Sequence, residues 1–264
     1  MKEERFWSLE INNISDKKEF NDLSAILVMD NSLENYIRLI TEFPGNDYTP
    51  MSDIFIFSPY VNEISSDDTE AISNLSSIYL MLKGVVALYS NNISRSRSRS
   101  NKFYNHHKHP DGMLWDRSNE IIYNKDIIYK YPFNPCEKIR SNYLDVFILK
   151  IINTAMNNRE LFEILMQFGF DDSWGRLYSI WDSVYFSVKK IKGLKNKKEV
   201  SIFLGLNYDE ISRFQGCANS YGLLFLEARH GEQGWGIPSE TITREDAIEL
   251  TKKIILNYIE YIAR

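Results

Sequence analysis

The chain predicts an α+β fold: a small mixed α/β N-terminal part followed by a helical-bundle C-terminal domain. Three observations predict it. Strand-like runs are confined to the first half, at 5–14, 53–59 and 120–131. From about residue 141 onward, apolar residues recur at three- and four-residue spacing with few breaks. Between these regimes stands YPFNPC, a composition shift near residue 135 of the kind that marks a boundary. Domains of 1–135 and 136–264 are therefore expected.

Residues 5–14 open with Phe6, Trp7, Leu9 and Ile11 and read as a strand. Asp16 and Glu19 have the spacing of a capping box for a helix that follows. Leu33, Tyr36, Ile37 and Ile40 repeat at helical spacing, so 32–42 predicts a helix. FPGNDYTP is a loop by its Pro, Gly and Asn content, and DIFIFSP at 53–59 a short strand. Asp67 and Glu70 cap a helix over 66–90 whose apolar face carries Ala71, Leu75, Ile78, Leu82, Val85 and Val86. The polar, cationic stretch 91–118 has neither period; it reads as a loop or a connection between strands. EIIYN and DIIYKY then suggest a hairpin turning at Asn124 and Lys125. Helices are expected at 142–156, 159–168 and 173–189, with a fourth over 198–217 broken near Gly205. Thr243 and Asp246 cap a long last helix.

The net charge of -5 argues against general coating of DNA, which calls for a strongly basic balance; a local basic groove remains open. Two cysteines far apart, Cys136 and Cys217, make neither a disulfide framework nor a zinc knuckle. No run is long and apolar enough to span a bilayer, and MKEERFWSLEINN lacks the features of a leader. A cytoplasmic protein without membrane contact is expected. No Walker loop, nucleophile elbow, zincin helix or dinucleotide fingerprint is found. Asp171 and Asp172 precede a helix and suit N-terminal capping.

The chemistry concentrates between Arg213 and Pro238. Five of the twelve glycines fall there, together with Arg229-His230-Gly231. An arginine fork holds two phosphoryl oxygens and keeps its charge, and a histidine moves protons near neutrality. Toward RNA, whose 2′-hydroxyl is an internal nucleophile, such a pair needs no metal or other cofactor. Glycines would let backbone approach the phosphate as an anion nest.

Arg213 with Asn219, then Ala228-Arg229-His230-Gly231, a Pro-containing loop and a long final helix resemble the C-terminal helical domains of bacterial abortive-infection proteins of the HEPN superfamily (higher eukaryote and prokaryote nucleotide-binding). The resemblance covers about residues 141–264. It implies an RNA-directed protein of bacterial defence or toxin type, working as a metal-independent ribonuclease across a homodimer, with Arg229, His230, Arg213 and Asn219 as its catalytic set. His230 would be general base or acid, Arg229 or Arg213 would stabilise the transition state, and Asn219 would orient one of them. Two assignments stay open. With Arg229 as the family arginine, no histidine follows His230; with Arg213, the gap to His230 exceeds the family spacing. Some members of the superfamily bind without cleaving, so the alternative is a non-catalytic sensor or a module docking a partner protein of a defence system. A small-ligand binder using the glycines as a nest is a third reading.

Two cationic stretches would draw RNA in. Arg95, Arg97, Arg99 and Lys102 are interleaved with Phe103, Tyr104, His106 and His107, a mixture suited to phosphate contacts and base stacking. The bland alternative is a solvated loop. His106, His107, His109 and Asp111 are also potential metal ligands, but a flexible loop gives them no frame, and no metal is expected. The second stretch runs from Lys189 to Lys198; of its lysines, Lys190, Lys195 and Lys197 are the expected phosphate contacts, against the simpler reading of a solvated connection. The Trp and Tyr stripe of 173–189 reads as core.

Overall fold

The computed structural model describes residues 5–12, 14–42, 53–90, 102–107, 120–121, 126–135, 138–139, 146–231 and 237–263. They form an α+β protein in two compact units, Met1–Gly169 and Phe170–Arg264. The composition shift near residue 135 falls inside the first unit.

The first unit contains β1 (Arg5–Ile11), α1 (Ile14–Leu27), β2 (Arg38–Glu42), β3 (Asp53–Phe57), α2 (Pro59–Ile64), α3 (Asp68–Ala87), β4 (Lys102–His107), β5 (Glu120–Ile121), α4 (Phe147–Asn157) and α5 (Arg159–Phe170). The strands make one antiparallel sheet in the order β2-β3-β1-β4-β5. Ser8 lies opposite Phe57 on one side of β1 and opposite Tyr104 on the other. Ile54, Phe55, Ile56 and Phe57 are all buried, so β3 is an unbroken apolar run with both faces covered.

Helix α3 begins where the sequence predicts, with the Asp67 carboxylate accepting from the Glu70 backbone N–H. It is buried on every side from Ala71 to Ala87, as a central helix rather than an amphipathic one. It meets α5 backbone to backbone. A Cβ on Gly84 would lie 1.9 Å from the Leu165 carbonyl oxygen, and one on Gly169 2.1 Å from that of Leu80, so only glycine fits at either position.

Three local expectations are corrected. Residues 32–42 are not a helix: Ile37 N–H closes one turn onto Leu33, and the chain then enters β2, with Arg38 opposite Phe57. Four-residue spacing fits one turn followed by a strand as well as it fits a helix. Residues 126–131 form no strand; they run along α3, where Lys130 N–H donates to Ser77 Oγ and Lys130 Nζ pairs with Glu70 at 2.8 Å. Asp16 does not cap α1. It is fully buried, accepts from Tyr79 Oη and pairs with Lys83 at 3.2 Å.

The second unit is helical: α6 (Trp174–Lys192), α7 (Lys197–Phe203), α8 (Tyr208–Asn219), α9 (Tyr221–Leu224) and α10 (Arg244–Ile262). Helix α6 supplies its core, burying Trp174, Leu177, Tyr178, Trp181, Val184, Tyr185 and Val188, the face expected from the sequence. Tyr258 of α10 hydrogen-bonds Ser187 inside it. Ser173 caps α6, while Asp171 accepts from Ser173 and Asp172 pairs with Arg244. Gly205, at φ 67, turns the chain between α7 and α8. Thr243 and Asp246 close a capping box at α10. Among the described residues no helix is long and apolar enough to cross a membrane.

Candidate functional site

The segment expected to be a glycine loop is mostly ordered as short helices. Gly216 lies inside α8 and Gly222 inside α9, and a 3₁₀ turn follows at Phe225–Glu227. No described glycine of the segment has positive φ; that conformation falls on Phe225, at φ 50. The backbone nest expected for a phosphate is therefore not found among the described residues.

The side chains organise instead around Asp182. This is the sole acid of α6, set one turn beyond Tyr178. The Arg229 guanidinium pairs with Asp182 at 3.1 Å and lies over the Tyr178 ring, 4.1 Å from its centroid. Backbone places it there, because Arg229 N–H donates to the Ala218 carbonyl at the end of α8. Lys197, in the first turn of α7, approaches the other carboxylate oxygen at 3.5 Å and donates to Tyr178 Oη at 3.0 Å. With the Gln215 amide oriented oxygen inward, that oxygen accepts from both Lys197 Nζ and Trp181 Nε1. Three helices, α6, α7 and α8, and the segment carrying Arg229 thus meet in one polar cluster: two cations share one carboxylate above an aromatic floor, leaving a net positive charge.

The cluster is open to solvent. The side chains of Arg229 and Lys197 are 36% and 30% exposed, and that of Asp182 is 19% exposed. A guanidinium laid flat on an aromatic ring keeps its N–H edge available, so Arg229 can turn that edge to a phosphate oxygen while stacked.

The remaining expected residues do not all join it. Arg213 pairs with Glu240 at 3.6 Å, a different carboxylate from that of Arg229. Six residues of helix separate Arg213 from Asn219, which puts them about 120° apart around α8. Arg213 Nε and Asn219 Oδ1 are buried with no hydrogen-bond partner among the described residues. His230 is half-buried and makes no hydrogen bond or ion pair among them. Cys217 is buried, its sulfur accepting from Ile242 N–H.

Of the lysine run, Lys197 is committed to the cluster, whereas Lys190 and Lys195 are exposed and make no side-chain ion pair among the described residues. Lys102 is exposed on β4. Its neighbours correct an expectation: Phe103 and Tyr104 are buried and unavailable to stack on bases, because β4 lies beside the central strand. Tyr104 packs edge-on against Phe55 and donates to Glu10. Arg95, Arg97, Arg99, His109 and Asp111, with the side chains of His106 and His107, lie outside the described residues.

Sequence reasoning missed Asp182, Tyr178 and Gln215. One signal pointed to the first: a single acid inside an aromatic helix that ends in lysines. Tyr178 was read as core, and it is core; its ring face also carries the arginine.

Fold and site define a two-unit α+β protein whose helical second unit carries a solvent-open cluster of two cations on one carboxylate. No family model, curated protein or solved structure matches the chain.

Proposed function

We propose that the protein is RNA-directed and that its second unit binds the RNA backbone through Arg229, Lys190 and Lys195. The observation that carries this reading is the cluster itself. Arg229 is pre-positioned on Tyr178 at 4.1 Å, and one carboxylate serves both it and Lys197. A phosphate meeting this surface finds an ordered guanidinium and excess positive charge. From 183 to 198 the chain has six lysines and no acid, so the excess continues along the run.

Binding is favoured over cleavage because Arg213 and Arg229 pair with separate carboxylates. The second reading, a metal-independent ribonuclease, rests on His230, which has no competing hydrogen bond or ion pair among the described residues. The defence or toxin setting, the homodimer and a partner protein of a defence system come with the HEPN resemblance alone.

The experiment is fluorescence anisotropy with a labelled single-stranded RNA at rising salt. Binding should fall steeply with salt, and Arg229→Ala with Lys190→Ala and Lys195→Ala should weaken it about tenfold or more. No binding at low salt by a folded protein would sink the proposal. The same RNA incubated with chelator separates the second reading: cleavage that disappears in His230→Ala would establish it.

A further inference from the structure

A cleft of about 360 Å³ opens elsewhere on the second unit, lined by Phe203, Leu204, Gly205, Asn257, Glu260 and Tyr261. None of these residues belongs to the Asp182 cluster. Its walls are the end of α7 and the last turns of α10. Asn257 braces them, its amide donating to the Leu204 carbonyl at 2.8 Å.

Three of the side chains on these walls, Phe203, Tyr261 and Glu260, attract positive charge. Phe203 and Tyr261 stand edge to face with centroids 5.3 Å apart, and Phe203 is 43% exposed. Aromatic faces bind cations through their ring quadrupole. Glu260 is exposed and has no ion pair among the described residues. Helix α10 is 19 residues long and has no basic residue in its last turn among the described residues, so its terminal carbonyls add negative potential beside the carboxylate. One cation is already drawn here. Lys192, from the end of α6, holds its ammonium 5.5 Å from the Phe203 centroid and 5.1 Å from that of Tyr261. It reaches these rings without forming an ion pair with Glu260 among the described residues, so the carboxylate is not tied to it directly.

We propose that this cleft binds a small organic cation, an alkylammonium or quaternary ammonium group seated on Phe203 and Tyr261 with Glu260 as counter-charge, and that Lys192 is its built-in competitor. The ligand's ammonium takes the ring faces, Lys192 swings to solvent, and the ligand's carbon chain fills the space beside Leu204. The cleft has room for such a group and its chain. An anionic ligand would instead be recruited by Lys192 and repelled by Glu260, so the lysine separates the two chemistries.

The test uses the full chain with choline and butylammonium chlorides as probes, read by calorimetric titration against sodium chloride at equal ionic strength. Saturable binding is expected. Lys192→Met should tighten it about fivefold by removing the competitor, whereas Glu260→Gln and Phe203→Leu should each weaken it about tenfold. Both losses are at exposed positions, and circular dichroism establishes that the variants are folded. Absence of saturable binding in both wild type and Lys192→Met would overturn the proposal. So would equal binding by all variants, or loss of binding in Lys192→Met.

Discussion

The two units each build a cluster from a lysine, an aspartate and a tyrosine, to opposite ends. In the first, Lys83 and Asp16 are 1% and 0% exposed, and Tyr79 donates to the same carboxylate. Burial pushes the Lys83 ammonium below the usual lysine range, and the Asp16 charge opposes that shift. In the second, Lys197, Asp182 and Tyr178 repeat the chemistry at a solvent-open edge, with Arg229 added. The sealed version cannot exchange partners without exposing a charge to an apolar interior. In the open one, both cations reach water beside the carboxylate they share. Identical residue types are sealed from water in one place and reached by it in the other, and that access sets what each pair is worth.

The comparison breaks most visibly at Asp16. Asp16→Ala leaves Lys83 buried without its counter-charge and should cost about 3–5 kcal/mol in urea unfolding. Adding Lys83→Met should recover most of that loss, since an apolar side chain of similar length replaces a stranded charge. At the open cluster the same operation should be mild. Asp182→Asn should cost less than about 1 kcal/mol, because its partners reach water. It should also tighten RNA binding several-fold by releasing Arg229 and Lys197; unchanged or weaker binding would show that the pair does not gate the site. The smallest effect concerns a third, surface pair. The Lys130 ammonium and the Ser66 N–H and hydroxyl hold the Glu70 carboxyl down to about 2 from an ordinary 4.5. The folded state therefore binds this proton less readily than the unfolded chain. The stabilisation is full above pH 4.5 and fades as pH falls toward 2. Lys130 is 43% exposed, so the benefit is screened to about 0.5 kcal/mol. Urea midpoints of wild type and Glu70→Gln should differ at pH 6 and converge near pH 2.5.

Much of this was legible in the residues. Asp67 with Glu70 and Thr243 with Asp246 announced the starts of α3 and α10 because caps are local chemistry. The stripe from Trp174 to Val188 announced a buried helix face by its period alone. Legibility failed where a short pattern fits two conformations, as at Leu33 to Ile40, and where a polar residue is judged without its neighbours. Asp16 has the look of a cap and is a core ion-pair partner; Phe103 and Tyr104 have the look of a stacking platform and are sheet core. At the candidate site, the sequence singled out Arg229 and Lys197 as separate cations. That they share Asp182 joins α6, α7 and the segment after α8, and no spacing along the chain encodes it.

Local order here is largely a property of the sequence alone: the long helices with a clear apolar period, the caps that start α3 and α10, that a sheet precedes a helical region, and which stretches are cationic. Hydrogen-bonded caps and hydrophobic period act over a few residues and leave their mark in the chain. The worth of each charge was decided by tertiary structure. Whether a lysine is sealed, shared or open depends on what other elements bring to it and on how much water reaches it, and both are set only when distant segments pack.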